Sequence, residues 1–260
     1  MDTSKSALIT GASGGIGYEL AKLFARDGHN LVLVARSGDK LAQVAAELQP
    51  LGVTVKTVPL DLGALQARKF LFDKLQREGI AIDILINNAG FGAFGEFAQI
   101  AENEILGQID LNITALTELT RLFLPAMIRR GSGRIMNVAS TAGFQPGPLL
   151  AVYYATKAYV ISFSEAIANE LRGSGVTVTC FCPGATHTGF AKRARIDKSR
   201  LFKFGAMSAE KVALDGYRAV MERRGLTISG AHNWLLAEST RFAPRKMVTA
   251  ISRWVSEQME

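Results

Sequence analysis

The sequence predicts a doubly wound α/β domain, a parallel sheet of about seven strands covered by helices on both faces. Three observations carry this expectation. Short apolar runs alternate with segments of helical apolar spacing from the first residues onward. Those runs are almost continuously apolar, as strands buried on both faces must be. A glycine-rich turn separates the first strand from the first helix, and no Pro/Ser-rich linker or repeat interrupts the alternation. Residues 1–260 are therefore expected to form a single domain.

The elements follow in order. KSALIT is a short strand, and GIGYELAKLFARDG is an amphipathic helix closed by Gly28. NLVLVAR and DKLAQVAAELQPLG repeat the unit, as do VTVKTVPLD with ALQARKFLFDKLQREG. IDILINNAG is the fourth strand, followed by the helical stretch from Glu102 to Gly131. GRIMNVAS, the helix around VYYATKAYV and GVTVTCFCPG complete six strands, and LTIS supplies a seventh. Residues 183–207 read as a long substrate loop in which small helices can hide, since compact domains rarely carry such loops without a use. Residues from about 232 to 260 form a C-terminal helical segment.

Composition narrows the setting. The 260 residues are 48% hydrophobic and 20% charged, ordinary for a globular protein. The start, MDTSKSALITG, has no signal-like segment, and no apolar run approaches the roughly 18 residues of a membrane span, so a cytoplasmic protein without stable membrane insertion is expected. The net charge of +7 is largely local: Lys192, Arg193, Arg195, Lys198, Arg200 and Lys203 oppose only Asp197. No nucleic-acid motif accompanies this segment, which reads as a solvated loop or as a lid attracting an acidic substrate or a cofactor phosphate. Cys180 and Cys182 lie two apart on one strand and read as buried thiols. His29, His187 and His232 are scattered without ligand spacing, so no metal site is expected; of the three, His187 is the one near the expected pocket.

In TGASGGIG, Gly11, Gly15 and Gly17 frame a turn in which Ser13, Gly14 and Ile16 also sit. A parallel sheet binds ligands at its carboxyl edge, and the first helix points its N–H groups at an anion, so a dinucleotide pyrophosphate fits there. The second strand ends in Ala35, Arg36 and Ser37, with no carboxylate before Asp39. An Arg at this place suits a ribose 2′-phosphate, which favours NADP(H) over NAD(H). Asp61 is placed to accept from the adenine amino group, and Asn87, Asn88, Ala89 and Gly90 bring the fourth strand's tip to the same edge.

Tyr153 or Tyr154 can pair with Lys157 on a helix. A phenol is too weak an acid near neutrality unless a neighbouring ammonium favours its phenolate, the role expected of Lys157. Ser140, at the end of the fifth strand, points to the same edge.

With TGASGGIG, NNAG, Ser140 and a Y-x-x-x-K pattern in this order, the chain resembles the short-chain dehydrogenase/reductase family over most of its length. The resemblance selects Tyr153 as the acid and Tyr154 as its neighbour. It implies catalytic roles for Asn112, Ser140, Tyr153 and Lys157, with Asn112 supporting a proton relay and Lys157 also binding the nicotinamide ribose. It implies that PGATHT, with Pro183, Gly184, Thr186 and Thr188, meets the nicotinamide carboxamide. It further implies a homodimer or homotetramer through the helices near Asn112 and Tyr153. The substrate is expected to be a lipophilic ketone or aldehyde between apolar walls from Phe144, Leu149, Leu150, Phe190, Leu201 and Phe202, with a 3-oxoacyl thioester as the alternative. A non-catalytic dinucleotide sensor is the rival function, and a peripheral membrane protein using the basic loop and terminal helix is a third.

Overall fold

The computed structural model describes residues 5–197 and 199–257; Lys198 and the side chains of Leu201, Lys203 and Phe204 lie outside what is described. The chain runs β1 (Ser6–Thr10), α1 (Gly15–Arg26), β2 (Asn30–Ala35), α2 (Gly38–Leu48), β3 (Val55–Pro59), α3 (Ala67–Arg77) and β4 (Ile84–Asn87). It continues through α4 (Glu102–Ile109), α5 (Leu116–Arg129), β5 (Gly133–Val138), α6 (Ala151–Glu170) and β6 (Val176–Cys182). The last part holds β7 (Thr186–His187), α7 (Gly189–Arg193), α8 (Arg200–Gly205), β8 (Met207–Ser208), α9 (Ala209–Met221), β9 (Leu226–Ile228), α10 (Ala231–Ser239) and α11 (Arg245–Ser256).

Seven strands form one sheet in the order β3-β2-β1-β4-β5-β6-β9, every pair parallel. This is the expected doubly wound fold, a single Rossmann-like domain. The core has two halves, one on each face. Leu20, Phe24 and Val212 of α1 and α9 pack on one side of the sheet, and Leu71, Leu119 and Phe123 of α3 and α5 on the other. Strand order reverses between β1 and β4, so the loops after them diverge and leave a crevice at the carboxyl edge.

Two features matter for the site, a break in the long helical stretch that the sequence did not suggest and the small helices that it left room for in the long loop. The helical stretch after Glu102 is not uniform: Asp110–Ala115 form a π-helical turn between α4 and α5. Such turns are uncommon and often sit at functional positions. The long loop contains α7 and α8, as well as a second, two-stranded sheet in which β7 and β8 pair Thr186 with Met207. Among the described residues no helix is long and apolar enough to cross a membrane.

Candidate active site

A cleft of about 1160 Å³ opens at the carboxyl edge. Its lining includes Gly11, Ser13, Gly14, Gly15, Ile16, Arg36, Ser37, Asp61, Asn88, Ala89 and Gly90 at the strand ends. Ser140, Tyr153, Lys157, Pro183, Gly184, Thr186 and Thr188 complete the expected set within it. Among the expected catalytic and cofactor-binding residues, Gly17 and Asn112 do not face the space, and both have identifiable work behind it.

The glycines of the first turn divide their tasks. Gly14 precedes α1, and a Cβ there would meet only open space, the space an anion at the helix N-terminus would occupy. No acidic side chain lies in that first turn of α1 and no side chain caps it, so the donor set suits a pyrophosphate. Gly17 acts differently: a Cβ would strike the Gly11 carbonyl and the Asn88 amide, so its absence lets the loop close on β4.

The asparagines of NNAG are tied into the sheet, Asn87 behind the cleft and Asn88 at its lining. Asn87 Nδ2 donates to Thr120 Oγ1 (3.0 Å) and Asn137 Oδ1 (2.9 Å), and Asn137 Nδ2 donates to Ser164 Oγ (3.0 Å). Asn88 Nδ2 donates to the Thr10 carbonyl at 2.9 Å, while Thr10 Oγ1 accepts from the backbone N–H of Asn88 and Ala89. These buried bonds fix the tips of β1, β4 and β5 against α6.

Asn112 bridges two elements. Its Oδ1 accepts from Phe91 N (3.0 Å), and its Nδ2 donates to Phe91 O (2.9 Å) and Thr156 Oγ1 (3.1 Å). A Cβ on Gly90 would lie 3.0 Å from Asn112 Oδ1 and 3.6 Å from Lys157 Nζ, so Gly90 keeps these two groups close.

Tyr153 and Tyr154 are plainly different. Tyr154 belongs to the apolar cluster beneath the long loop, its ring closed over by Gly147. Both rings line the cleft, but Tyr153 is the one packed against Phe190, at 5.2 Å, with the Ser140 side chain favouring its phenolate. Ser140 Oγ also accepts from Ala142 N (3.1 Å), holding the short turn Thr141–Phe144 against it.

The electrostatics differ from the sequence expectation. Burial pushes the Tyr153 phenol well above its ordinary value, only partly offset by the neighbouring Ser140 side chain. Lys157 does not bring it down: its ammonium donates to the Val138 carbonyl at 2.7 Å and lies 5.7 Å from the Tyr153 ring centroid. Burial in turn lowers Lys157 to about 8.

Other expectations are corrected. Leu150, Phe190 and Phe202 line the cleft, but Phe144 packs beside Val160 and Ile161, and Leu149, at φ 68°, turns into a separate small pocket. His187 is exposed and does not line the cleft, whereas His232 does. The free thiols of Cys180 and Cys182 are buried 3.9 Å apart.

Several contributors escaped the sequence reading. Lys40 joins Arg36 at the cleft, and Asn233 of α10 fills the space beside Gly184. Arg193 of α7 lies 4.1 Å over the Phe91 ring and faces the cleft; burial and the Arg36 charge lower its pKa. Arg200 donates to the Trp254 carbonyl at 2.8 Å and lies 4.8 Å over its indole, tying α8 to α11.

Comparison with known proteins agrees with this geometry. A short chain dehydrogenase family model matches residues 5–199. The human very-long-chain 3-oxoacyl-CoA reductase is 33% identical over 242 residues, covering 88% of this chain and 76% of its own. A short-chain dehydrogenase from Sphingobium yanoikuyae in complex with NADPH is 37% identical, with a TM-score of 0.82, 92% of this chain and 94% of that one covered. A Burkholderia phymatum short-chain dehydrogenase/reductase in complex with NAD is 27% identical, with a TM-score of 0.83 and coverage of 99% and 98%. The chain belongs to the short-chain dehydrogenase/reductase family, oxidoreductases of carbonyl and hydroxyl groups that use a nicotinamide dinucleotide.

Proposed function

We propose that this protein is an NADP(H)-preferring reductase of lipophilic ketones or aldehydes, with Tyr153 as the proton donor. The observation that carries this reading is that Ser140, Tyr153 and Lys157 line one cleft with Arg36, where apolar side chains such as Leu150 and Phe190 also stand. When bound, the nicotinamide supplies or accepts the hydride at the substrate carbon. The chain's own residues handle the oxygen. Ser140 and Tyr153 hold the carbonyl oxygen between two hydroxyls, and the raised phenol stays protonated at neutral pH, ready to donate. The Lys157 ammonium, held by the Val138 carbonyl at the cleft wall, is placed to bind the nicotinamide ribose. Asn112 acts as a positioning residue, fixing Phe91 and Thr156 around Lys157.

Arg36, Ser37 and Lys40 at the β2 end give a 2′-phosphate two cations and a hydroxyl. Asp61 takes the adenine side of the same cleft, and Pro183 to Thr188 the nicotinamide side. The NADPH complex of the Sphingobium relative supports this preference. Cytoplasmic residence and a homodimer or homotetramer through α5 and α6 complete the proposal.

A second substrate assignment, a 3-oxoacyl thioester, is favoured by the name of the human relative and by Lys40 and Arg193 beside the cleft, cations suited to a phosphate-bearing thioester. Titration with NADPH and NADH, followed by simple ketones and 3-oxoacyl thioesters under the tighter cofactor, tests both. Tighter NADPH binding with turnover is expected. Equal affinity would remove the cofactor preference, and no turnover on any carbonyl would favour the sensor.

A further inference from the structure

We infer that α10 and α11 form a distal subsite for an unbranched alkyl chain, running outward from a carbonyl held at Ser140 and Tyr153. The inference rests on the reductase reading and names the shape of its substrate. Its basis is the packing of α11. The residues this helix buries are Ser252 and Ser256, whose hydroxyls have no hydrogen-bond partner among the described residues. Its large apolar side chains Met247, Ile251 and Trp254 are 50%, 52% and 57% exposed. Val248 and Val255 are half-buried beside the serines, so the protein covers one edge of the helix's apolar face and leaves its bulkiest side chains open.

All three side chains line the cleft that contains Tyr153, and Leu236 of α10 joins them. The stripe is therefore the outer wall of that cleft, and what covers it enters with the substrate. Spacing of four and three residues sets the stripe along the axis, about 10 Å long at 1.5 Å per residue, a shape for an extended chain. Arg200 holds Trp254 in place through its carbonyl and one face of its ring.

Two measurements on the full chain decide the matter. In the first, linear methyl ketones from pentanone to pentadecanone are compared with NADPH present. The expected kcat/KM rises about three- to fourfold per methylene over the lengths that lie on α11. In Ile251→Asp that increment disappears; an unchanged increment, or an equal loss at every length, overturns the subsite. The second measurement needs no turnover: a long methyl ketone with a terminal bromine is a contact quencher of indole fluorescence. Saturable quenching is expected in the wild type and in Trp234→Phe, and its loss in Trp254→Phe. Quenching that persists in Trp254→Phe, or is absent from the wild type, contradicts the subsite. Saturable quenching without turnover would keep the subsite and overturn the reductase reading, and turnover without quenching would do the reverse.

Discussion

The carboxyl edge of the sheet and the C-terminal arm build opposite walls of one cleft by different rules. At the edge, backbone and short side chains define the surface: the Gly11–Gly17 turn, the Asn87–Asn137 bonds and the Ser140 turn are fixed by parallel strands and buried hydrogen bonds. On the arm, large apolar side chains of α10 and α11 form the surface and the polar serines are turned in. The edge is preorganised for a polar cofactor and a proton transfer, as electrostatic catalysis requires. The arm presents area without direction, which suits a substrate held by hydrophobic contact.

The largest effects that sharpen this contrast lie in the first turn. Gly17→Ala drives a methyl into the Gly11 carbonyl and the Asn88 amide, and is expected to destabilise the fold by about 1–3 kcal/mol and abolish dinucleotide binding. Gly14→Ala places its methyl in open space, so the thermal midpoint should hold while dinucleotide affinity falls more than about tenfold. Denaturation and cofactor titration of the two variants separate the tasks, and identical behaviour would break the division.

Arg36→Asp should shift the NADPH-to-NADH affinity ratio by about 100-fold, since it replaces a charge-assisted bond with a repulsion. An unchanged ratio in the same titration would remove Arg36 from phosphate recognition. Lys157→Met tests a buried charge. Lowering Lys157 from 10.5 to about 8 on folding disfavours the ammonium by ~3 kcal/mol at neutral pH. Because the folded value is the lower one, this penalty is full below about pH 8 and fades as pH rises toward 10.5. The inactive Lys157→Met variant should therefore be about 2 kcal/mol more stable at pH 7, after about 1 kcal/mol for the lost Val138 bond. Its advantage should shrink above pH 8, which urea denaturation against pH measures. The smallest effect is expected from Arg193→Met, which keeps the contact with Phe91 and removes the charge: NADPH affinity should fall by about three- to fivefold. No change would assign Arg193 to lid packing alone.

Much of the edge was legible because its chemistry follows local spacing. A glycine turn after an apolar strand and Arg36 at a strand end need no distant partner to be noticed, whereas spacing left Tyr153 and Tyr154 both open and the family resemblance chose between them. The hydrogen bonds of Asn87 and Asn88 were not legible, because their partners Thr10, Thr120 and Asn137 come from other elements. The expected link between Lys157 and the phenol assumed that nearness decides; burial outweighs it here, and the Val138 carbonyl takes the ammonium. Phe144 and Leu149 were assigned to the wall by sequence proximity, yet Phe144 packs in the Val160 and Ile161 cluster and Leu149, at positive φ, lines a separate small pocket. Asn233 and the α11 stripe lie some eighty to one hundred residues beyond Tyr153, and an amphipathic pattern alone does not say which face is covered.

The central claim, that Tyr153 and not its neighbour donates the proton, is tested most directly by single-turnover reduction of a lipophilic ketone by the NADPH complexes of Tyr153→Phe and Tyr154→Phe. Tyr153→Phe should lose about 100- to 10,000-fold in rate at unchanged NADPH affinity, while Tyr154→Phe stays within about threefold of wild type. The reverse pattern, or equal losses in both, would contradict the account.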